Sequence, residues 1–346
     1  MGLQREHNED AFAVLTDHDL FIVADGMGGH RAGDVASRLA SESISDFFQR
    51  TAGEEVTWPF HFDSALSESE NRLLTAIRLA NRQIYEHSLK SHDLRGMGTT
   101  VVGALFNPDT RKMYVGHVGD SRAYVIREGR ISQLTRDHSL VNDYLKVMPD
   151  MPEDQRNELP KNVITRALGM QDSVEVDLLA HEVRVGDTFV LCSDGLSGMI
   201  SDAEILQVAG QNVELDEACR RLAALANEHG GEDNITAVLV RIEQSDGGEN
   251  DSRGKSGAGS ERRHRNRSQR RFRVLLRAGS CIRDRRGFGA RVAGAARVRR
   301  DLRAQHLPDD PRHSAADCDQ RRGQAGFAAH ARSDRQFRLE RRGGRR

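Results

Sequence analysis

Nowhere do the four cysteines, Cys192, Cys219, Cys281 and Cys318, form a CxxC pair. That absence excludes the common zinc and thiol–disulfide motifs. The apolar run around Cys192 and the helical spacing around Cys219 fit buried free thiols in a reducing compartment. No apolar run reaches the roughly 18–20 residues that span a bilayer. The polar, charged first residues do not read as a secretory leader, and the expectation is a cytoplasmic protein that does not engage a membrane. Hydrophobic residues make up 37% of the 346, too few for the whole chain to fold into cores. Lysine is nearly missing from residues 252–346, where Lys255 is the only one.

What replaces lysine there is arginine. Residues 252–346 carry 28 Lys and Arg against 9 Asp and Glu, leaving 23 against 43 before them, so a formal net charge of −1 hides an acidic body and a basic tail. The stretch "QSDGGENDSRGKSGAGS" has linker composition. From 261 onward arginine, alanine and glycine dominate without apolar periodicity, and no fold is expected. This composition fits a shifted reading frame, a disordered extension or a nucleic-acid arm. Only the last needs phosphate neutralisation, and nucleic acid is not the expected partner. The expected domains are 1–242, a linker at 243–260 and the tail at 261–346.

The body alternates strand and helix signals. Ala32, Val35, Ala36, Leu39, Ala40, Ile44 and Phe47 recur at helical steps, and a second stripe runs through Leu73, Ile77, Ala80 and Ile84 between Ser67 and Leu89. Such long stripes bury one face against something flat, such as a sheet. The segments "TTVVGALF", "KMYVGHVGD", "SRAYVIR" and "RISQLT" read as strands, with a turn at Glu128-Gly129. Residues 139–160, holding Pro149, Pro152 and Pro160, read as an irregular flap. Two more strands flank Val185-Gly186-Asp187, Leu215–His229 is helical, and "NITAVLVRIE" closes with a strand.

The chemistry lies at the strand ends. "FIVADGMGGH" runs an apolar strand into Asp25 and then strips the chain to glycines; "FVLCSDG" repeats the device at Asp194, "YVGHVGD" at Asp120, and "HGGEDN" places Asp233 before the last strand. One Asp-Gly after a strand is an ordinary turn. Four carboxylates drawn together repel and raise one another's pKa. A hard cation relieves that conflict, and an oxygen-only donor set selects Mg²⁺ or Mn²⁺ over zinc. Glycine beside Asp25 also frees a backbone carbonyl to coordinate. "REHNED" adds Arg5, Glu9 and Asp10. Arginine can clamp a phosphate through paired hydrogen bonds.

These segments carry a resemblance. "GLQREHNED", "ADGMGGHRAG", "GMGTTVVGAL", "VGHVGDSRAY", "LTRDHS", "VITRALG", "LCSDGL" and "GGEDNITAVLV", in this order over residues 2–242, resemble the bacterial type 2C protein phosphatases, the PPM family of metal-dependent Ser/Thr phosphatases. The resemblance implies an α+β fold: two packed antiparallel β-sheets flanked by antiparallel α-helices. It implies hydrolysis of phosphoserine and phosphothreonine by attack of a water bridging two Mn²⁺ or Mg²⁺ ions. Carried over, Asp25 bridges both ions, Asp194 and Asp233 complete the first site, and the Gly26 carbonyl binds the second, with Glu9 and Asp10 acting through water. A third ion, as in bacterial members, would use Asp120 and Asp194. Arg5 would bind the substrate phosphate.

A proton must also reach the leaving serine oxygen. His30 is the candidate acid, with bound water as the alternative; the implicated histidine of animal relatives directly follows the DG, where this chain has Met27. His117 and His138 read as structural. The motif begins at residue 2, where the family has a strand before it. The expected partners are phosphorylated proteins, Ser/Thr kinases and their substrates among them, met by a monomer. The alternative is a non-catalytic phosphoprotein-binding module on the same fold.

Overall fold

The computed structural model describes residues 3, 5, 7–28, 32–52, 59–160, 162–244, 273–282 and 298–301. In chain order the elements begin with β1 (Asp10–Leu15), β2 (Leu20–Met27), α1 (Ala32–Arg50) and α2 (Glu68–Lys90). Next come β3 (Gly98–Thr99), β4 (Val101–Asn107), β5 (Lys112–Val118), β6 (Arg122–Arg127), β7 (Arg130–Gln133), α3 (Leu140–Val147) and α4 (Glu153–Glu158). They end with β8 (Asp177–Glu182), β9 (Thr188–Cys192), α5 (Asp194–Ser197), α6 (Asp202–Ala209), α7 (Leu215–Glu228), β10 (Thr236–Gln244), β11 (Arg273–Ile282) and β12 (Val298–Asp301). One antiparallel sheet has the order β1-β2-β4-β5-β8, with β3 on β2; the other runs β12-β11-β10-β9-β6-β7.

Local chemistry sets several boundaries. α2 starts on a capping box, with Ser67 Oγ accepting from the Glu70 N–H and Glu70 reaching back to the Ser67 N–H; Ser201 and Glu204 repeat it at α6. Glu128 and Gly129 both take positive φ, 50° and 73°, and close the β6–β7 hairpin.

The period of two along each strand sorts the core into three layers. Leu20, Ile22 and Ala24 of β2 pack toward α1 and α2, with Ile44, Phe48, Leu73 and Ile77. Phe21 and Val23 lie between the sheets with Val102, Ala104, Val115, Phe189, Leu191, Val238 and Val240. Tyr124, Val190, Cys192 and Leu239 pack toward α6 and α7. The expected two-sheet sandwich with outer helices is the architecture found. Cys192 and Cys219 are buried and free. No helix among the described residues is long and apolar enough to cross a membrane.

Three expectations need correction. The segment 139–160 is not irregular throughout: α3 starts where Ser139 Oγ accepts from the Asn142 N–H, and α4 follows Pro152, so prolines bound short helices here. The tail does not lack strands: β11 pairs with β10 from Thr236↔Ile282 to Gln244↔Val274, and β12 pairs with β11. The run "RVLLRAGSCI" carries the apolar stretch Val274, Leu275 and Leu276, and β10 presents it an edge of backbone donors and acceptors. β10 also runs to Gln244, past the expected domain end at 242. The expected linker from 245 onward, and the rest of the tail, lie outside the described residues.

Candidate metal centre

At one end of the sandwich the inward positions turn polar. Phe21 and Val23 face the other sheet, and the same alternation brings Asp25 to that face. Asp10 follows from Phe12 and Val14, Thr100 from Val102 and Ala104, Ser121 from Ala123 and Val125, Ser193 from Phe189 and Leu191, and Thr236 from Val238 and Val240. The apolar core therefore ends in a layer of oxygen-bearing side chains contributed by β1, β2, β4, β6, β9 and β10 or the residue just beyond their ends.

That layer is tied together. Asp10 Oδ2 accepts from Ser193 Oγ at 2.9 Å and from Thr236 Oγ1 at 2.6 Å. The Asp25 carbonyl accepts from the Thr100 N–H at 2.8 Å and from Thr99 Oγ1 at 2.8 Å, and its N–H donates to Thr100 Oγ1 at 3.3 Å. Thr100 Oγ1 in turn shares a hydrogen bond of 2.6 Å with Ser121 Oγ, beside Asp120. The Asp25 and Asp194 carboxyls lie within hydrogen-bonding reach of each other. Asn234 closes the ring: its Oδ1 accepts from the Glu9 N–H at 2.7 Å, its Nδ2 donates to the His7 carbonyl at 3.1 Å, and its N–H donates to Asp233 Oδ1 at 2.7 Å.

The glycines have a second task besides baring carbonyls. A Cβ on Gly26 would collide with the Gly33 carbonyl of α1, and one on Gly195 with the Asn234 carbonyl. Gly26 N–H donates to the Glu9 carbonyl at 3.0 Å. Side chains at either place would push α1 or the 233–234 loop off the carboxylates.

Electrostatics report crowding of like charge. Desolvation first, then Asp10, Asp194 and Asp233, hold the Asp25 carboxyl well above the usual carboxylate range. Asp10 is pushed up to about 7, again by desolvation and then by its acidic neighbours, against the hydrogen bonds from Thr236 and Ser193. Asp120 is raised to about 7 by desolvation and by Asp194 and Asp137. Desolvation also raises Asp194 and Glu9. Three buried oxygens, Asp10 Oδ1, Asp120 Oδ1 and Asp194 Oδ1, receive no hydrogen bond. Buried acceptors without donors and carboxylates forced toward their neutral forms are the mark of a site completed by a cation. The all-oxygen donor set fits a hard divalent ion.

The cleft over this layer encloses ≈1490 Å³ and is lined by Arg5, Glu9, Asp25, Asp194, Asp233 and Ile164, among others. The structure thus brings together Asp25, Gly26, Glu9, Asp10, Asp194 and Asp233, with Asp120 joined through Ser121 and Asp194. Arg5 reaches the same cleft, but its Nη2 is 2.7 Å from Asp233 Oδ2 rather than waiting unpaired. His30 lies outside the described residues. Sequence reasoning missed Asn234, Ser193, Thr236 and Thr100. Continuing each strand's alternation one step beyond its apolar residues finds the last three; nothing local marks Asn234.

The family model described as protein phosphatase 2C matches residues 4–239. A serine/threonine phosphatase stp of Listeria innocua is 39% identical over 242 residues, covering 69% of this chain and 92% of its own length. The solved structure of the Mycobacterium tuberculosis serine/threonine phosphatase PstP superposes with a TM-score of 0.58 at 35% identity, over 69% of this chain and 93% of that one. The catalytic domain of a PstP phosphatase in complex with two manganese ions gives 0.57 at 34% identity, over 69% and 92%.

Proposed function

The chain belongs to the protein phosphatase 2C family, and from that premise we propose the role of each side chain around the cleft. It is a metal-dependent serine/threonine protein phosphatase, a hydrolase acting on phosphoproteins. Asp25, Asp194 and Asp233 would hold one Mn²⁺ or Mg²⁺ ion, and Asp25 with the Gly26 carbonyl would hold a second. Glu9 and Asp10 would act through water, and Asp120 with Asp194 would serve a third ion. The supporting observation is the trio of undonated oxygens on Asp10, Asp120 and Asp194 around Asp25, whose carboxyl is held well above the usual carboxylate range by desolvation and its acidic neighbours.

Phosphate monoesters hydrolyse in water among the slowest of biological reactions. When bound, paired divalent ions supply an activated water and neutralise charge on the phosphoryl oxygens. The chain's own residues do the rest. Arg5 has five N–H donors, and Asp233 takes Nη2; the others are available to orient phosphoryl oxygens for in-line attack. Asn234 fixes the backbone of His7–Glu9 against the 233 loop, so Arg5 and Asp233 keep their mutual position. His30 is proposed to give the leaving serine oxygen its proton.

We assign as substrates phosphorylated Ser/Thr kinases and the proteins they modify, and a monomer acting in the cytoplasm, where the buried free thiols Cys192 and Cys219 stay reduced. Turnover of a phosphothreonine peptide with Mn²⁺ tests the assignment. Activity abolished by EDTA and by Asp25→Asn supports it. Peptide binding without turnover, unaffected by either change, returns the chain to the non-catalytic module.

A further inference from the structure

Asp120 sits on the three-residue connection between β5 and β6, residues 119–121, a segment too short to hold its own shape. Gly119 before it takes φ +105°, and a Cβ there would collide with Thr100, so the turn is both unusual and closely packed. One residue satisfies both polar groups of Gly119: its N–H donates to His138 Nδ1 at 3.0 Å, and its carbonyl accepts from the His138 N–H at 2.9 Å. On the other side of Asp120, Arg122 grips Asp137 with Nε at 3.0 Å from both carboxylate oxygens and Nη2 at 2.7 Å from Oδ2. Two consecutive residues, Asp137 and His138, therefore bracket Asp120.

The bond from Gly119 dictates the imidazole tautomer. Nδ1 accepts, so it carries no proton, and the ring proton sits on Nε2. Nε2 lies 3.3 Å from Asp177 Oδ2, the acceptor for that proton. Arg166 Nη1 holds Asp177 Oδ1 at 2.6 Å and the Glu175 carbonyl at 3.2 Å, which fixes the carboxylate. The His117 ring stacks on His138 at 4.8 Å and 12°, with its Nε2 2.9 Å from the Arg136 carbonyl, and both histidines are buried. His117, His138 and Asp177 have their ligand atoms close enough for a metal. However, Arg166 Nη1 stands 3.1 Å from His138 Nε2, so the positive charge of this cluster is already supplied.

We propose that His138 is a positioning residue for the metal centre: with Asp177 fixing its tautomer, it holds the Gly119 backbone and thereby the aim of the Asp120 carboxylate. This rests on the reading of Asp120 as a metal ligand. Groups that orient a metal ligand through hydrogen bonds change metal affinity by about ten- to a hundredfold when removed, and the effect expected here is at the lower end because a peptide unit stands between.

Two isosteres separate the ring's two nitrogens. In His138→Asn, Oδ1 takes the place of Nδ1 and can accept from Gly119; in His138→Gln, the amide group reaches the position of Nε2 and the acceptor is lost. Mn²⁺ binding is followed by calorimetry on the full chain, and Gly119 amide exchange is followed in the metal-free protein. His138→Gln is expected to weaken one Mn²⁺ site about tenfold and to speed Gly119 exchange at least tenfold. His138→Asn is expected to stay within about threefold of wild type in both.

Asp120→Asn is the reference, expected to lose one Mn²⁺ from the stoichiometry. If Asp120→Asn binds as wild type does, the ligand reading fails and the proposal falls with it. If Asp120→Asn loses an ion while His138→Gln binds and exchanges like wild type, the positioning role alone is overturned. Should His138→Gln not fold, Asp177→Leu releases the tautomer instead and is expected to weaken the same site; unchanged binding there also overturns the proposal.

Discussion

Asp10 and Asp25 stand directly opposite each other in the β1–β2 ladder, both on the face turned toward the second sheet. Like charges opposed across strands destabilise a sheet, and here Asp10 adds to the desolvation that pushes the Asp25 carboxyl upward. On the proposed reading, a divalent cation held here removes the conflict.

Replacing Asp25 by Asn should therefore separate stability from activity. The metal-free variant is expected to gain about 1–2 kcal/mol, or roughly 2–8 °C in melting temperature for a domain of this size. Turnover at saturating Mn²⁺ should fall by at least about a thousandfold, as expected for losing a ligand shared by both ions. Thermal melts in chelator and a phosphopeptide assay measure the two.

The pH dependence of metal-free stability follows from Asp10 and Asp120, both raised to about 7. An unfolded Asp releases its proton near pH 4. Between about pH 4 and 7 the unfolded state binds fewer protons than the folded one, so unfolding free energy falls as pH rises and levels off above about 7. Adding Mn²⁺ below about pH 7 should expel protons, seen as a calorimetric heat that depends on the buffer's ionisation enthalpy. A metal-free melting temperature that rises from pH 5 to 7 contradicts this.

The fold was legible where one strand's own pattern carried the information. Leu20 to Ala24 and their alternation place Asp25 on the inter-sheet face, and the stripes of α1 and α2 give the outer layer. What escaped acts at a distance. Asn234 binds Glu9 across 225 positions, and His138 binds Gly119 across 19, with no periodic signature at either. β1 escaped because a six-residue strand beginning on Asp10 gives little apolar alternation of its own. β11 escaped because its arginines mask a short strand-forming run in a tail of unfolded composition.

Gly26→Ala should be far costlier than Gly129→Ala. The first drives a methyl group into the Gly33 backbone and toward the Glu9 carbonyl; the second meets open space and faces only an unfavourable φ of 73°. Expected losses are about 3 kcal/mol or more against about 1 kcal/mol. Only Gly26→Ala should also weaken Mn²⁺ binding, because α1 and the Asp25 strand end are displaced together. Denaturant melts and Mn²⁺ titration compare the pair.

His30→Gln tests the proton donor. A serine alkoxide needs protonation as it leaves, whereas p-nitrophenolate does not. The variant should slow phosphopeptide hydrolysis about a hundredfold and leave p-nitrophenyl phosphate turnover within about threefold of wild type. Equal losses on both substrates would assign His30 another role and favour water as the acid.

Anomalous diffraction at the manganese edge, from crystals of the full chain grown with Mn²⁺, addresses the central claim most directly. The account predicts peaks with ligand oxygens of Asp25, Asp194 and Asp233 within about 2.0–2.3 Å, one of them shared through Asp25. Manganese bound elsewhere while Asp25 still meets Asp194 through a hydrogen bond would contradict it.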